Sequence, residues 1–239
     1  MQHPNIIARP VAPAADLDEL RWEIDRIDNA ILALMDRRIA TAHAVAAAKR
    51  DMRSRWLNLH PGREAAVLDR LSAQAEAMPP ESIRAIWREL IGLNLQAQRR
   101  MEVVLHAGAR AALVAGAARE RFGGAAPMVV ADCAGEALDR ARSREAVAVI
   151  ELSPLSGWWV ALAEEPDLVI FEGLRDSAGA LVALCVGRIA PESLPERERY
   201  EILGEGRLRQ RSAAGEPIRA VAMSGHLRLC VTRQAEAAR

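Results

Sequence analysis

The stretch DLDELRWEIDRIDNAILALMDRRIATAHAVAAAKRDM, residues 16–52, decides how this chain folds. No glycine or proline interrupts it, and Leu17, Leu20, Ile24, Ile27, Ile31 and Leu34 recur at steps of three and four. That spacing makes one stripe of an α-helix that packs along its whole length. At about 1.5 Å per residue such a helix is ~55 Å long. Asp16 is a suitable N-cap, with Glu19 placed as in a capping box. Continued, the stripe reaches Arg38, passes Ala42 and Val45, and arrives at Lys49. Two cations thus stand where aliphatic residues are expected, close to a whole number of turns apart and so on one side. An unpaired cation inside a protein costs on the order of several kcal/mol, so the pattern asks for an anion beside them.

A second helix is predicted over residues 62–78, with Val67, Leu68, Leu71 and Ala75 on one face and Pro79-Pro80 as its stop. A third starts at Glu81 or Ser82 and runs to about Leu105, with the stripe Ile83, Ile86, Trp87, Leu90, Asn94, Ala97, Gln98 and Met101. Polar groups intrude again at Asn94 and Gln98, one turn apart. Glu64 faces inward one turn before Leu68, with Arg63 beside it. Each has a plain reading alone: Arg21 and Glu64 as solvated or first-turn charges, Lys49 as a favourable charge near a helix end, Asn94 and Gln98 as partners of each other. Together, with a cationic bias, they read as a pocket. The two shorter helices, ~25 and ~37 Å, cannot each cover the long stripe, so an antiparallel second copy and an interlocked homodimer are expected.

Beyond Gly108 the texture changes. Apolar runs at 128–130, 146–150, 168–171, 180–186 and 227–231 read as strands, with helix-like pieces at 109–121, 135–144 and 158–165 between them. Residues 191–217, charged and glycine-bearing, read mostly as loop. The fold class is therefore α plus α/β: a tail at 1–15, a helical domain at 16–106 and a small α/β domain at 107–239. The 32 basic and 32 acidic residues balance, which gives no support to non-specific nucleic-acid or membrane-surface binding. Cys133, Cys185 and Cys230 are widely spaced and form no CxxC, and the histidines have no metal spacing, so structural thiols, no metal and no cofactor are expected. With neither a continuous apolar signal core nor a membrane-length apolar run, the expected location is the cytoplasm.

Arg21, Arg38, Lys49, Arg63, Glu64, Asn94 and Gln98, in that order on a long-short-long helical pattern, resemble the all-helical chorismate mutase family. The matching pieces are Leu20-Arg21, Asp36-Arg37-Arg38, Ala48-Lys49 and Pro61-Gly62-Arg63-Glu64, followed by Asn94 and Gln98. His60 stands where many members carry an aspartate. The resemblance implies the intramolecular rearrangement of chorismate to prephenate, a step of phenylalanine and tyrosine biosynthesis that needs no nucleophile, metal or proton transfer. It also implies the roles. Arg38 clamps one substrate carboxylate, and Arg21 reaches the other from a partner chain. Lys49 and Gln98 flank the ether oxygen, Glu64 binds the hydroxyl, Arg63 supports the pocket and Asn94 holds a carboxylate.

The carboxyl half resembles a reduced prephenate dehydratase lobe at residues 136–149 and at Gly157-Trp158-Trp159. It lacks a Gly-rich Ser/Tyr turn and a Thr-Arg-Phe motif, so no dehydratase activity is expected and a structural, regulatory or docking role is left. Two other readings of the helical half stand beside the mutase: a non-catalytic regulatory or docking protein, and an isochorismate-cleaving pyruvate lyase.

Overall fold

The computed structural model describes residues 16–48 and 55–233. The tail at 1–15 and Lys49 lie outside the described residues. The long helix α1 spans Leu17–Ala48, and Asp16 Oδ1 accepts the backbone N–H of Asp18 at 3.3 Å, as an N-cap does. Two shorter helices follow, α2 (Pro61–Gln74) and α3 (Pro80–Gln98), each opened by a proline whose missing N–H is no loss there. Both α1 and α2 pack on α3. Ala42 is buried on α1, but its apolar stripe stands open: Leu17, Leu20, Ile24, Ile27, Ile31 and Leu34 are 47–64 % exposed.

The third helix ends sooner than its stripe predicts. It stops at Gln98, not near Leu105, and Glu102–His106 is strand β1. Val103, Val104 and Leu105 are buried on both faces of a sheet, an environment that suits β-branched residues and reads from sequence like a buried helix turn. The side chain of Gln96 makes the break by pairing with the backbone of Met101, donating to its carbonyl at 2.8 Å and accepting its N–H at 3.2 Å. The second helix likewise ends early, at Gln74.

The chain then builds α4 (Ala111–Phe122), β2 (Met128–Val130), α5 (Ala134–Ala141), β3 (Ala146–Glu151), β4 (Val169–Arg175) and β5 (Leu181–Gly187). A five-stranded sheet in the order β2-β1-β3-β5-β4 results, with β1 parallel to β2 and β3 and the last two strands antiparallel. Alternate residues go to opposite faces. Val103, Leu105, Val147 and Val149 pack with Val114, Ala118 and Phe122 of α4, while Val104, Ala148 and Ile150 pack with Ala137 and Leu138 of α5 and with Trp159. Residues 191–217, expected to be mostly loop, contain β6 (Glu198–Gly204) and α6 (Glu205–Ala213). Their signal is weak because α6 buries no residue and β6 buries only Leu203. With β7 (Ile218–Ser224) and β8 (Leu227–Arg233), β6 forms a three-stranded antiparallel sheet in the order β6-β8-β7.

The helical and α/β regions are packed into each other. Leu57 and Leu59, in the segment before α2, sit in the core beneath α4, and the Leu57 N–H donates to the Arg188 carbonyl at 2.7 Å. At Gly92 on α3 a Cβ atom would lie 2.5 Å from the Phe122 carbonyl oxygen at the end of α4. The Glu89 carboxylate accepts the Gly124 N–H at 2.9 and 3.0 Å, just past Gly123, whose φ of 77° closes α4 as glycine readily does. Because the obstacle at Gly92 is backbone, Gly92→Ala is expected to destabilise the protein by about 1–3 kcal/mol in urea unfolding, the usual range for overpacking.

Candidate functional site

Arg38 lies on the side of α1 that meets α3, half-buried, and its Nη1 donates to the Leu90 carbonyl at 3.1 Å. Asn94, 6 % exposed, donates its Nδ2 to the same oxygen at 2.5 Å. Two residues predicted as site members therefore converge on one backbone atom. Burial pulls the Arg38 guanidinium below its ordinary pKa, and no carboxylate pairs with it among the described residues. Asn94 Oδ1 is buried with no hydrogen-bond partner among the described residues. One N–H of the Asn94 amide is thus held by Leu90, which leaves its second N–H as a donor beside the buried Oδ1 acceptor.

Gln98, one turn further along α3, accepts from Asn58 Nδ2 at 2.6 Å. This bond occupies its carbonyl oxygen and leaves its amide as a donor, the polarity needed beside an ether oxygen. Arg21 is exposed and paired with Asp18 at 3.2 Å. It stands seventeen positions before Arg38, about 25 Å along the helix axis, so one chain does not bring the two together. Arg63 is exposed on the first turn of α2.

Glu64 faces inward, its side chain 12 % exposed, and it has a partner in the α/β half. Its Oε2 accepts from Arg121 Nη2 of α4 at 2.8 Å. Arg121, 5 % exposed, also pairs through Nε with Glu172 of β4, and Arg88 of α3 lies 4.0 Å from the other oxygen of Glu172. Burial alone would push the Arg121 guanidinium down; Glu172 and then Glu64 outweigh it and hold the group well above its ordinary value. Arg88 has the weaker pairing, and burial, followed by repulsion from Arg121, lowers it. Four residues of four elements thereby form a chain of alternating charge between the helices and the sheet.

Asn58, Arg88, Arg121 and Glu172 were missed in the sequence. Arg121 carried the signal that exposed Arg38: it follows Val114 and Ala118 on the buried face of α4. His60, at the aspartate position of the resemblance, pairs through Nδ1 with Ser193 Oγ at 2.7 Å. Among the described residues no group of three or more His, Cys, Asp or Glu could hold a metal ion, and no helix is long and apolar enough to cross a membrane.

Residues 20–99, about a third of the chain, match the family model described as chorismate mutase type II. That segment holds every predicted site residue, Arg21 to Gln98, and ends one residue after α3. Searches of curated proteins and of solved structures return no match.

Half-buried Arg38 and buried Arg121 should respond oppositely to neutralisation. Arg38→Met removes a desolvated, unpaired cation while Asn94 still satisfies the Leu90 carbonyl, so unfolding free energy is expected to stay within about 1 kcal/mol or to rise. Arg121→Met strands Glu64 and Glu172 and is expected to cost about 3 kcal/mol in the same urea titration.

Proposed function

We propose that the protein is a chorismate mutase, an intramolecular isomerase turning chorismate into prephenate for phenylalanine and tyrosine synthesis. One observation carries the reading. Within the segment matching chorismate mutase type II, a half-buried arginine with no carboxylate among the described residues and a buried amide meet at the seam between α1 and α3, and one turn further along α3 a glutamine is held through its oxygen by Asn58. Keeping an unpaired, partly desolvated cation is unfavourable for the fold alone and useful for gripping an anion.

The rearrangement breaks an ether C–O bond and forms a C–C bond within one molecule. The protein's task is to hold the compact reactive conformer and to meet charge growing on the ether oxygen. Arg38 binds one carboxylate, braced by the carbonyl it shares with Asn94. Gln98 donates to the ether oxygen, with Asn58 fixing its orientation, and Lys49 is its cationic counterpart. Glu64 accepts the substrate hydroxyl, and Arg63 supports the pocket. Arg21 comes from a second copy, because its own Arg38 is about 25 Å away along the helix.

The same second copy covers the open stripe of α1. α1 is about 48 Å long against about 28 Å for α3, so roughly 20 Å of apolar seam has no cover among the described residues. A homodimer crossing antiparallel buries it and completes the site. The α/β half, with its dehydratase-like texture, is non-catalytic in this reading, and the protein works in the cytoplasm without metal or cofactor.

The purified protein is expected to elute at twice its chain mass in light scattering and to convert chorismate to prephenate, followed by loss of chorismate absorbance. Arg38→Met should lower kcat/KM at least about tenfold, the least that a lost charge-assisted hydrogen bond implies. Unconsumed chorismate would favour the docking protein, and salicylate fluorescence from isochorismate would favour the lyase. Gln98→Glu should be active only in acid, where its carboxyl is protonated and can donate; a pH profile like that of the wild type would overturn the role given to Gln98.

A further inference from the structure

A substrate with two carboxylates repels any carboxylate built into its pocket. Glu64 would be such a group, and the structure shows what offsets it. Its Oε2 is taken by Arg121, while its Oε1 accepts no hydrogen bond among the described residues. Its side chain is 12 % exposed, so it is not sealed from solvent. The chain Arg88–Glu172–Arg121–Glu64 holds two cations and two carboxylates, and Glu64 is the end of that chain. Asn58 stands six positions before Glu64 and donates to Gln98, which places the start of α2 at the carboxyl end of α3.

We propose that Arg121, on α4 and outside the segment that matches chorismate mutase type II, is a positioning residue for Glu64. It holds one carboxylate oxygen and cancels its charge, leaving the other oxygen to accept the hydroxyl of a dianionic substrate. The α/β half thereby supplies part of the helical site. Without this partner a first-turn glutamate samples several rotamers, and ordering it falls on substrate binding. With it, the acceptor is in place beforehand, and the net charge facing the dianion is smaller. The proposal rests on the chorismate mutase reading given above.

The test compares chorismate kinetics of Arg121→Lys in two backgrounds, wild type and Glu64→Gln, using full-length protein shown to be folded by circular dichroism. Lysine keeps the charge but cannot serve Glu64 and Glu172 in the fixed geometry of a guanidinium. In the wild-type background KM is expected to rise about tenfold, with a smaller change in kcat. In the Glu64→Gln background the same substitution should move KM less than about twofold, since the group it positions is already altered. Equal changes in both backgrounds, or an unchanged KM in the first, would overturn the proposal, because a merely structural arginine acts regardless of residue 64. Should Arg121→Lys fail to fold, Arg121→Gln/Glu172→Gln, which removes one charge of each sign, replaces it in the same comparison with the same expectations. Wild-type protein that leaves chorismate unconverted overturns the mutase reading and this proposal together; active wild type with no coupling overturns this proposal alone.

Discussion

A guanidinium taken out of water has to bring its counter-charges with it, and Arg121 draws them from both halves of the molecule. Glu64 comes from the helices and Glu172 from the sheet. Either carboxylate alone would leave charge uncompensated in a poorly solvated place, where it is expensive. The arrangement is therefore satisfied only when α2, α4 and β4 are all seated. The contacts around it are as exacting: Gly92 lets two backbones touch, and Glu89 answers the turn after α4. The helical segment is thus specified by the sheet as well as by its own stripes.

The seam between α1 and α3 has the opposite character. Among the described residues, half-buried Arg38 has only carbonyl oxygen to bind, and Asn94 keeps a buried acceptor without a partner. Native interiors rarely leave such groups unanswered. One place in the molecule over-satisfies a buried charge and another under-satisfies one. The contrast separates a joint whose charges answer one another from a seam whose polar groups are answered only in part.

Much of this was legible in the sequence because a helical stripe is a long signal. The six apolar residues from Leu17 to Leu34 mark α1 whatever packs on them, and Arg38, Asn94 and Gln98 stand out as breaks in stripes of known period. Short elements carried less. From Gln98 to Met101 the helical step continues by chance, so β1 read as more helix although Val103 and Val104 serve both faces of a sheet. The run before Glu172 read as a strand ending at Phe171, because a charge seldom belongs inside one. The strand continues through a bulge to Arg175 because Arg121, fifty-one positions away, answers that charge. Glu64 was noticed but given no protein partner for the same reason: its partner lies in another element, and pattern within one helix is silent about it.

The passage from α3 into β1 is only residues 99–101, and the side chain of Gln96 clasps its far end. Such a joint has no slack. The first strand of the sheet and the last turn of α3 are set against each other, and α3 carries Leu90, Asn94 and Gln98. Exchanging the carboxyl half for another fold would take away the strand, the end of α4 and the turn after it against which α3 is set, even if every residue of the helices were kept.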